Sequence, residues 1–265
     1  MPFFSFQNKV REQIGETDFF VNVYEWVLNR LETDKLNQKV IDEIGKRAFR
    51  NILGRDLPRT FTTDMVLEPD TQNQLKNNLE ALAYTIPEVG YCQGMNFISA
   101  TLLYILRDEE LSFWLFYAMM KSLDMEHMYL PGVPELHLKN FQMSHLIRIK
   151  CPALFHHLKK IKMTTDYFTS KWIMTVFANS LPFEAIPTIF DNLLQDGWTS
   201  VYRIGIQLLR SIQPVLLNMD MFEITIYLRE NLRRDTINIR KLLMEAERIT
   251  INLEDIEHYK CTFSF

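Results

Sequence analysis

Two stretches, Leu53-Gly-Arg-Asp56-Leu-Pro-Arg59-Thr-Phe61 and Val89-Gly-Tyr91-Cys-Gln93-Gly-Met-Asn96, each set a polar side chain where an apolar helical pattern stops or starts. Upstream of the first, Ile41, Ile44, Ala48 and Ile52 recur at spacings of three and four, the period of a helix with one buried face. Gly54 follows at the position where a left-handed cap commonly ends a helix. Pro58 has no amide hydrogen and is expected to hold Leu57 extended, so that Arg59 projects from a stiff connector. Downstream, Leu75, Leu79 and Leu82 mark an amphipathic helix that the Ile86-Pro87 step ends. The Pro87-Glu-Val-Gly90 turn then delivers Tyr91 and Gln93 to the start of Phe97 to Leu106, a nearly uncharged run that reads as a central buried helix.

The same period continues to the end of the chain. Leu111, Trp114, Leu115 and Ala118 follow the Asp108-Glu-Glu surface turn, and Leu130-Pro-Gly-Val-Pro134 interrupts as a loop. Beyond Cys151-Pro152 come Leu154, Phe155, Leu158 and Ile161, then Tyr167 to Phe177, then Ile186, Ile189, Phe190, Leu193 and Leu194 stopped by Gly197. Asp220-Met-Phe-Glu223 has the spacing of a capping box opening a helix through Leu228 and Leu232, and Leu242, Leu243 and Ala246 mark a last short helix. No long alternation of β-branched residues and no fixed-period repeat appears. The pattern predicts an all-α fold of two helical lobes, residues about 1–150 and 151–265, with both polar segments in the first.

Composition supports a large core and narrows the function. Of 265 residues, 47% are apolar, including 19 Phe, 10 Tyr and 4 Trp, which excludes disorder. A formal charge of −4 offers no basic excess for a nucleic-acid backbone. Cys92, Cys151 and Cys261 lie far apart without metal-site spacing, which suits a reducing compartment. The N-terminus lacks a signal-peptide pattern and the most apolar run is too short to span a bilayer, so a cytosolic protein, attached to endomembranes at most peripherally, is expected. His156-His157 has no third ligand at metal spacing, and no GxSxG, HExxH or GxxxxGK[ST] occurs, so neither a metal site nor a nucleotide cradle of its own is expected. Met119, Met120, Met125 and Met128 read as packing.

Arg59 and Gln93 are the candidate pair for chemistry. Hydrolysis of GTP needs from a protein a positive charge on the developing γ-phosphate oxygens and a group that orients the attacking water. Plainer readings remain for each residue: Arg59 with Asp56 as a surface ion pair worth ~0 to 1 kcal/mol, Gln93 as a partner for backbone groups at a helix start, and Tyr91 as core packing with its hydroxyl tied to a carbonyl.

The two segments resemble the IxxDxxR and YxQ signatures of the TBC domain family, GTPase-activating proteins for Rab GTPases. Tyr167 to Phe177, Leu181-Pro182 and Ile189-Phe190-Asp191 with Gly197 are similar to that family's C-terminal core pattern, so the likeness runs from about Val40 to Leu209 and more weakly to Lys260. It implies an all-α TBC domain in which Arg59 acts as an arginine finger and Gln93 as a glutamine finger, with Asp56 and Tyr91 in support. The implied partner is a Rab-family GTPase in its GTP-bound form, which brings the magnesium and the nucleotide; the chain is then an activator without a turnover site or cofactor of its own. The alternative is a non-catalytic TBC-like module that binds a GTPase or scaffold. Leu53 replaces the usual isoleucine, Phe190 stands where tryptophan is common, and no Gly-x-Pro or Arg-x-x-x-Trp segment precedes the first motif. The last departure implies a shortened or variant N-terminus. Phe19, Val23, Trp26 and Val27 have the spacing of a one-faced helix, so residues from about Asp18 to Leu31 are expected to dock on the N-terminal lobe in its place.

Overall fold

The computed structural model describes residues 54–60, 69–232 and 238–251, and among them there are helices and turns but no strand. The helix expected before Gly54 and the docking of residues 18–31 lie outside the described residues. The chain divides into two units, one through Gly132 and one from Val133. The division falls before the boundary near 150 read from sequence, because Cys151-Pro152 is only a joint between two packed helices. Cys151 N–H donates to the Ile147 carbonyl, and the Cys151 carbonyl accepts from Phe155 N–H.

The first unit is built around its most apolar helix. α1 spans Pro69–Thr85, α2 Met95–Leu106, α3 Glu109–Ser122 and α4 Met125–Tyr129. α2 packs against α1 and α3, and α4 against α3. With no charged residue, α2 has nothing to turn toward water, and Met95, Ile98, Leu102 and Leu103 are buried in it beside Leu75, Leu79 and Leu82 of α1. Each such side chain contributes ~1.5 to 3 kcal/mol by leaving water. Met119, Met120, Met125 and Met128 are all fully buried, so they fill core space. The acidic turn before α3 is a cap, since the Asp108 carboxylate accepts from Leu111 N–H.

In the second unit α5 is Pro134–Lys150, α6 Pro152–Lys160, α7 Asp166–Thr175, α8 Ile186–Asp196, α9 Trp198–Leu216, α10 Met221–Ile226 and α11 Ile239–Glu247. α9 is the hub, packed on α5, α7, α8 and α11. Proline opens α5 and α6, where its missing N–H would find no helical partner anyway. α7 stops at Thr175, short of the expected Phe177, because Val176 and Phe177 both take positive φ (48° and 61°) and turn the chain with their side chains buried. The capping box at Asp220 and Glu223 is present in both directions, but the helix it opens widens at Tyr227–Asn231 into a π-turn.

Candidate functional site

The arginine-bearing segment is more helical than its sequence predicts. Residues 54–56 are helical, Gly54 does not take a left-handed φ, and the chain tightens into a 3-10 turn at Leu57–Arg59. Pro58 sits in the first turn of that element, where its fixed φ suits a 3-10 helix and its missing donor costs nothing, so Leu57 is helical and not extended. Thr60 N–H closes the turn on the Leu57 carbonyl at 3.3 Å. Arg59 is therefore the last residue of a short turn packed against α1; its guanidinium lies outside what the structure describes.

The glutamine-bearing segment starts where α1 ends. Ile86 N–H still bonds the Leu82 carbonyl, and both Val89 and Gly90 N–H bond the Ile86 carbonyl, folding Pro87 to Gly90 into the expected turn. Gly90 has φ 60°, and Gly94, the N-cap of α2, has φ 112°, a region that disfavours any side chain. Between them Gln93 is exposed, and among the described residues its side-chain amide has no hydrogen-bond partner. Its neighbours are held instead: Cys92 N–H lies 3.2 Å from the Met95 sulfur, and Gly94 N–H donates to Asn96 Oδ1 at 3.0 Å.

Side chains tie the two segments together across 35 residues of sequence. The Tyr91 hydroxyl donates to Asp56 Oδ2 at 2.7 Å, and Asp56 is only 8% exposed. Burial, the bond to Asp56 and the charge of that carboxylate all push the Tyr91 hydroxyl well above its ordinary value, so it remains a donor at neutral pH. Burial and the same carboxylate raise the Cys92 thiol, which disfavours a reactive thiolate beside Gln93. A second tie runs parallel: Asn96 Nδ2 donates to Thr60 Oγ1 at 2.9 Å, and Thr60 Oγ1 donates to the Asp56 carbonyl at 2.8 Å.

Of the four residues singled out from sequence, Asp56 and Tyr91 are in direct contact, Gln93 is exposed two residues after Tyr91, and Arg59 is the last residue of the 3-10 turn that Asp56 precedes as N-cap. Sequence reading gave no role to Thr60 and Asn96. The available signal was a buried amide position in an otherwise apolar helix start, Met95-Asn96-Phe97-Ile98, which requires a partner somewhere in the fold. His156 Nδ1 lies 3.0 Å from the Pro152 carbonyl oxygen, and His157 Nε2 lies 2.8 Å from that of Met219. Among the described residues no cluster of three or more His, Cys, Asp or Glu could hold a metal ion, and no helix is long and apolar enough to cross a membrane.

Comparison with known proteins agrees with this architecture. The family model described as the Rab-GTPase-TBC domain matches residues 21–217, beginning before the point at which motif resemblance starts. A human protein, ecotropic viral integration site 5 protein homolog, is 32% identical over 173 residues, covering 64% of this chain and 21% of that protein. A Rab GTPase-activating protein of Caenorhabditis elegans, eat-17, is 28% identical over 208 residues, covering 77% of this chain and 23% of that protein. The chain thus spans less than a quarter of the length of these two relatives. The crystal structure of the Chlamydomonas flagellar RabGAP TBC domain superposes with a TM-score of 0.70 at 22% identity, covering 91% of this chain and 76% of that one, and shares its fold.

Proposed function

This chain belongs to the Rab-GTPase-TBC domain family, and from that premise we propose that it accelerates GTP hydrolysis by a GTP-bound Rab-type GTPase. Arg59 supplies the positive charge for the γ-phosphate oxygens as bonding to the leaving group weakens, and Gln93 orients the attacking water. The partner supplies nucleotide and magnesium; this chain supplies two side chains and the frame that aims them. It works in the cytosol, with at most peripheral attachment to the membrane that carries its partner.

The observation that carries this reading is the Tyr91–Asp56 hydrogen bond, which joins the segment ending at Arg59 to the segment bearing the exposed Gln93. Aiming matters because a misplacement of about 1 Å in a catalytic group costs on the order of 10²-fold in rate. A buried carboxylate held by a tyrosine is a positioning device here and not a base: left unpaired it would repel phosphate. A binding module without catalysis gives no reason for Arg59 and Gln93 both to be present. The experiment is a GTP-hydrolysis screen of the purified chain against a panel of Rab-type GTPases. Acceleration of at least one member is expected, and a folded chain that accelerates none across a broad panel overturns the proposal.

A further inference from the structure

Asn96 is 1% exposed and stands one residue into α2, three residues after Gln93. Its amide is used at both ends. Oδ1 accepts from Gly94 N–H, the backbone group immediately after Gln93, and Nδ2 donates to Thr60 Oγ1, on the residue immediately after Arg59. Thr60 in turn donates its hydroxyl proton to the Asp56 carbonyl, which leaves its oxygen lone pairs for Asn96 and makes the chain of bonds unidirectional. The direction also fixes the Asn96 rotamer: flipped by 180°, the amide nitrogen would face the Gly94 N–H donor and both bonds would weaken. The Tyr91–Asp56 bond forms a second tie between the same two segments, so they are held at two points and cannot pivot about one.

Resting on the proposed function, we infer that Asn96 and Thr60 are positioning residues that set the spacing of the two catalytic side chains: one amide clamps the backbone next to Gln93 to the turn that ends in Arg59. Neither residue touches the partner's nucleotide in this scheme. Each acts through the residue beside it. The turn carrying Gln93 is closed by one backbone bond, Met95 N–H to the Cys92 carbonyl at 3.2 Å, with Gly94 at φ 112°, and the bond from Gly94 N–H to Asn96 Oδ1 adds a side-chain hold that links it to Thr60. A device of this kind affects the transition state more than the encounter, because both catalytic groups must be in register when the γ-phosphate is in flight, whereas the surface that first meets the partner is unchanged.

The test uses the full chain and the Rab-type GTPase that responds best in the panel. Thr60→Val preserves shape and removes the hydroxyl, Thr60→Ser restores it, and Asn96→Ala removes both ends of the clamp. Thr101→Val is the control for loss of a buried hydroxyl in α2, since Thr101 Oγ1 bonds only the Phe97 carbonyl one turn back among the described partners. Expected are a fall in kcat of ~10- to 100-fold for Thr60→Val and Asn96→Ala, recovery to within about threefold in Thr60→Ser, and no more than about a twofold change in Thr101→Val. KM, and affinity for the same GTPase loaded with a non-hydrolysable GTP analogue, should move by less than about threefold throughout. Thr60→Val and Asn96→Ala combined should fall no further than Asn96→Ala alone, because they break one chain of bonds. Full kcat in folded Thr60→Val, or a KM rise with kcat unchanged, overturns the clamp while leaving the proposed function standing. Absence of wild-type activity on every GTPase in the panel overturns that function, and the clamp with it.

Discussion

Replacing Tyr91 by phenylalanine removes one oxygen and leaves the ring, so its effect isolates the bond to Asp56. That bond is the one donor to the Asp56 carboxylate among the described residues, and the carboxylate is 8% exposed. Hydrogen bonds to a charged acceptor contribute about 1.5 to 3 kcal/mol, and the loss is the larger because the remaining partner stays buried. Taking ~2 to 3 kcal/mol, and roughly 2 to 4 °C of Tm per kcal/mol for a domain of this size, the midpoint of thermal unfolding should fall by roughly 4 to 12 °C. Asp56→Asn offers a comparison: its amide oxygen still accepts from Tyr91, so it should cost ~1 kcal/mol or less. Paired thermal and urea unfolding of Tyr91→Phe, Asp56→Asn and the double variant would read these values. If Tyr91→Phe unfolds within about 1 °C of the wild type, the bond does not bear on stability and the two segments are not held as described.

Other consequences follow from the same geometry. Gly94→Ala places a Cβ at φ 112° and should destabilise the chain by ~1 to 3 kcal/mol, read by urea unfolding, with GTPase activation falling more steeply than stability. Cys92, whose thiol is pushed up by burial, should react with a thiol reagent at pH 8 more slowly than free cysteine, measured by mass-spectrometric mapping of the modified peptide. Tyr91, Tyr129 and Tyr202 hold their protons more tightly folded than unfolded, so their contribution is complete below the ordinary tyrosine value of 10.0 and is lost as pH rises beyond it. Cys92 and Cys151 act in the same direction from 9.0, so unfolding free energy should be insensitive to these groups at neutral pH and fall above about pH 9. A Rab-type GTPase whose own switch glutamine is replaced should still respond to the wild-type chain and fail to respond to Gln93→Ala, a pairing read by phosphate release.

Elements governed by a single local rule were legible in the sequence. Ile86-Pro87 ends α1, and Asp220 and Glu223 cap α10, because proline geometry and reciprocal capping act over three or four residues. Gly54 and Leu57 went otherwise for a physical reason: glycine permits a left-handed cap without requiring one, and a proline in the first turn of a 3-10 element is compatible with the helix continuing. The left-handed turn at Val176 and Phe177 has no local signature at all, since β-branched and aromatic residues disfavour it and only their burial compensates. At the site, Asp56 and Tyr91 were named from motif resemblance, and the structure adds that they touch. The Asn96–Thr60 clamp was not legible, because it joins positions 36 apart in sequence and nothing local selects one hydroxyl among many as the partner of a buried amide.

The most direct measurement of the central claim is single-turnover GTP hydrolysis by a responsive Rab-type GTPase, with Arg59→Ala and Gln93→Ala compared with the wild-type chain and with binding measured alongside. The account predicts that Arg59→Ala removes most of a ~10³- to 10⁵-fold acceleration, that Arg59→Lys restores little because an ammonium cannot reproduce the planar fork, and that Gln93→Ala lowers the rate strongly while affinity for the GTP-bound partner holds. Near-wild-type acceleration by folded Arg59→Ala protein would contradict it.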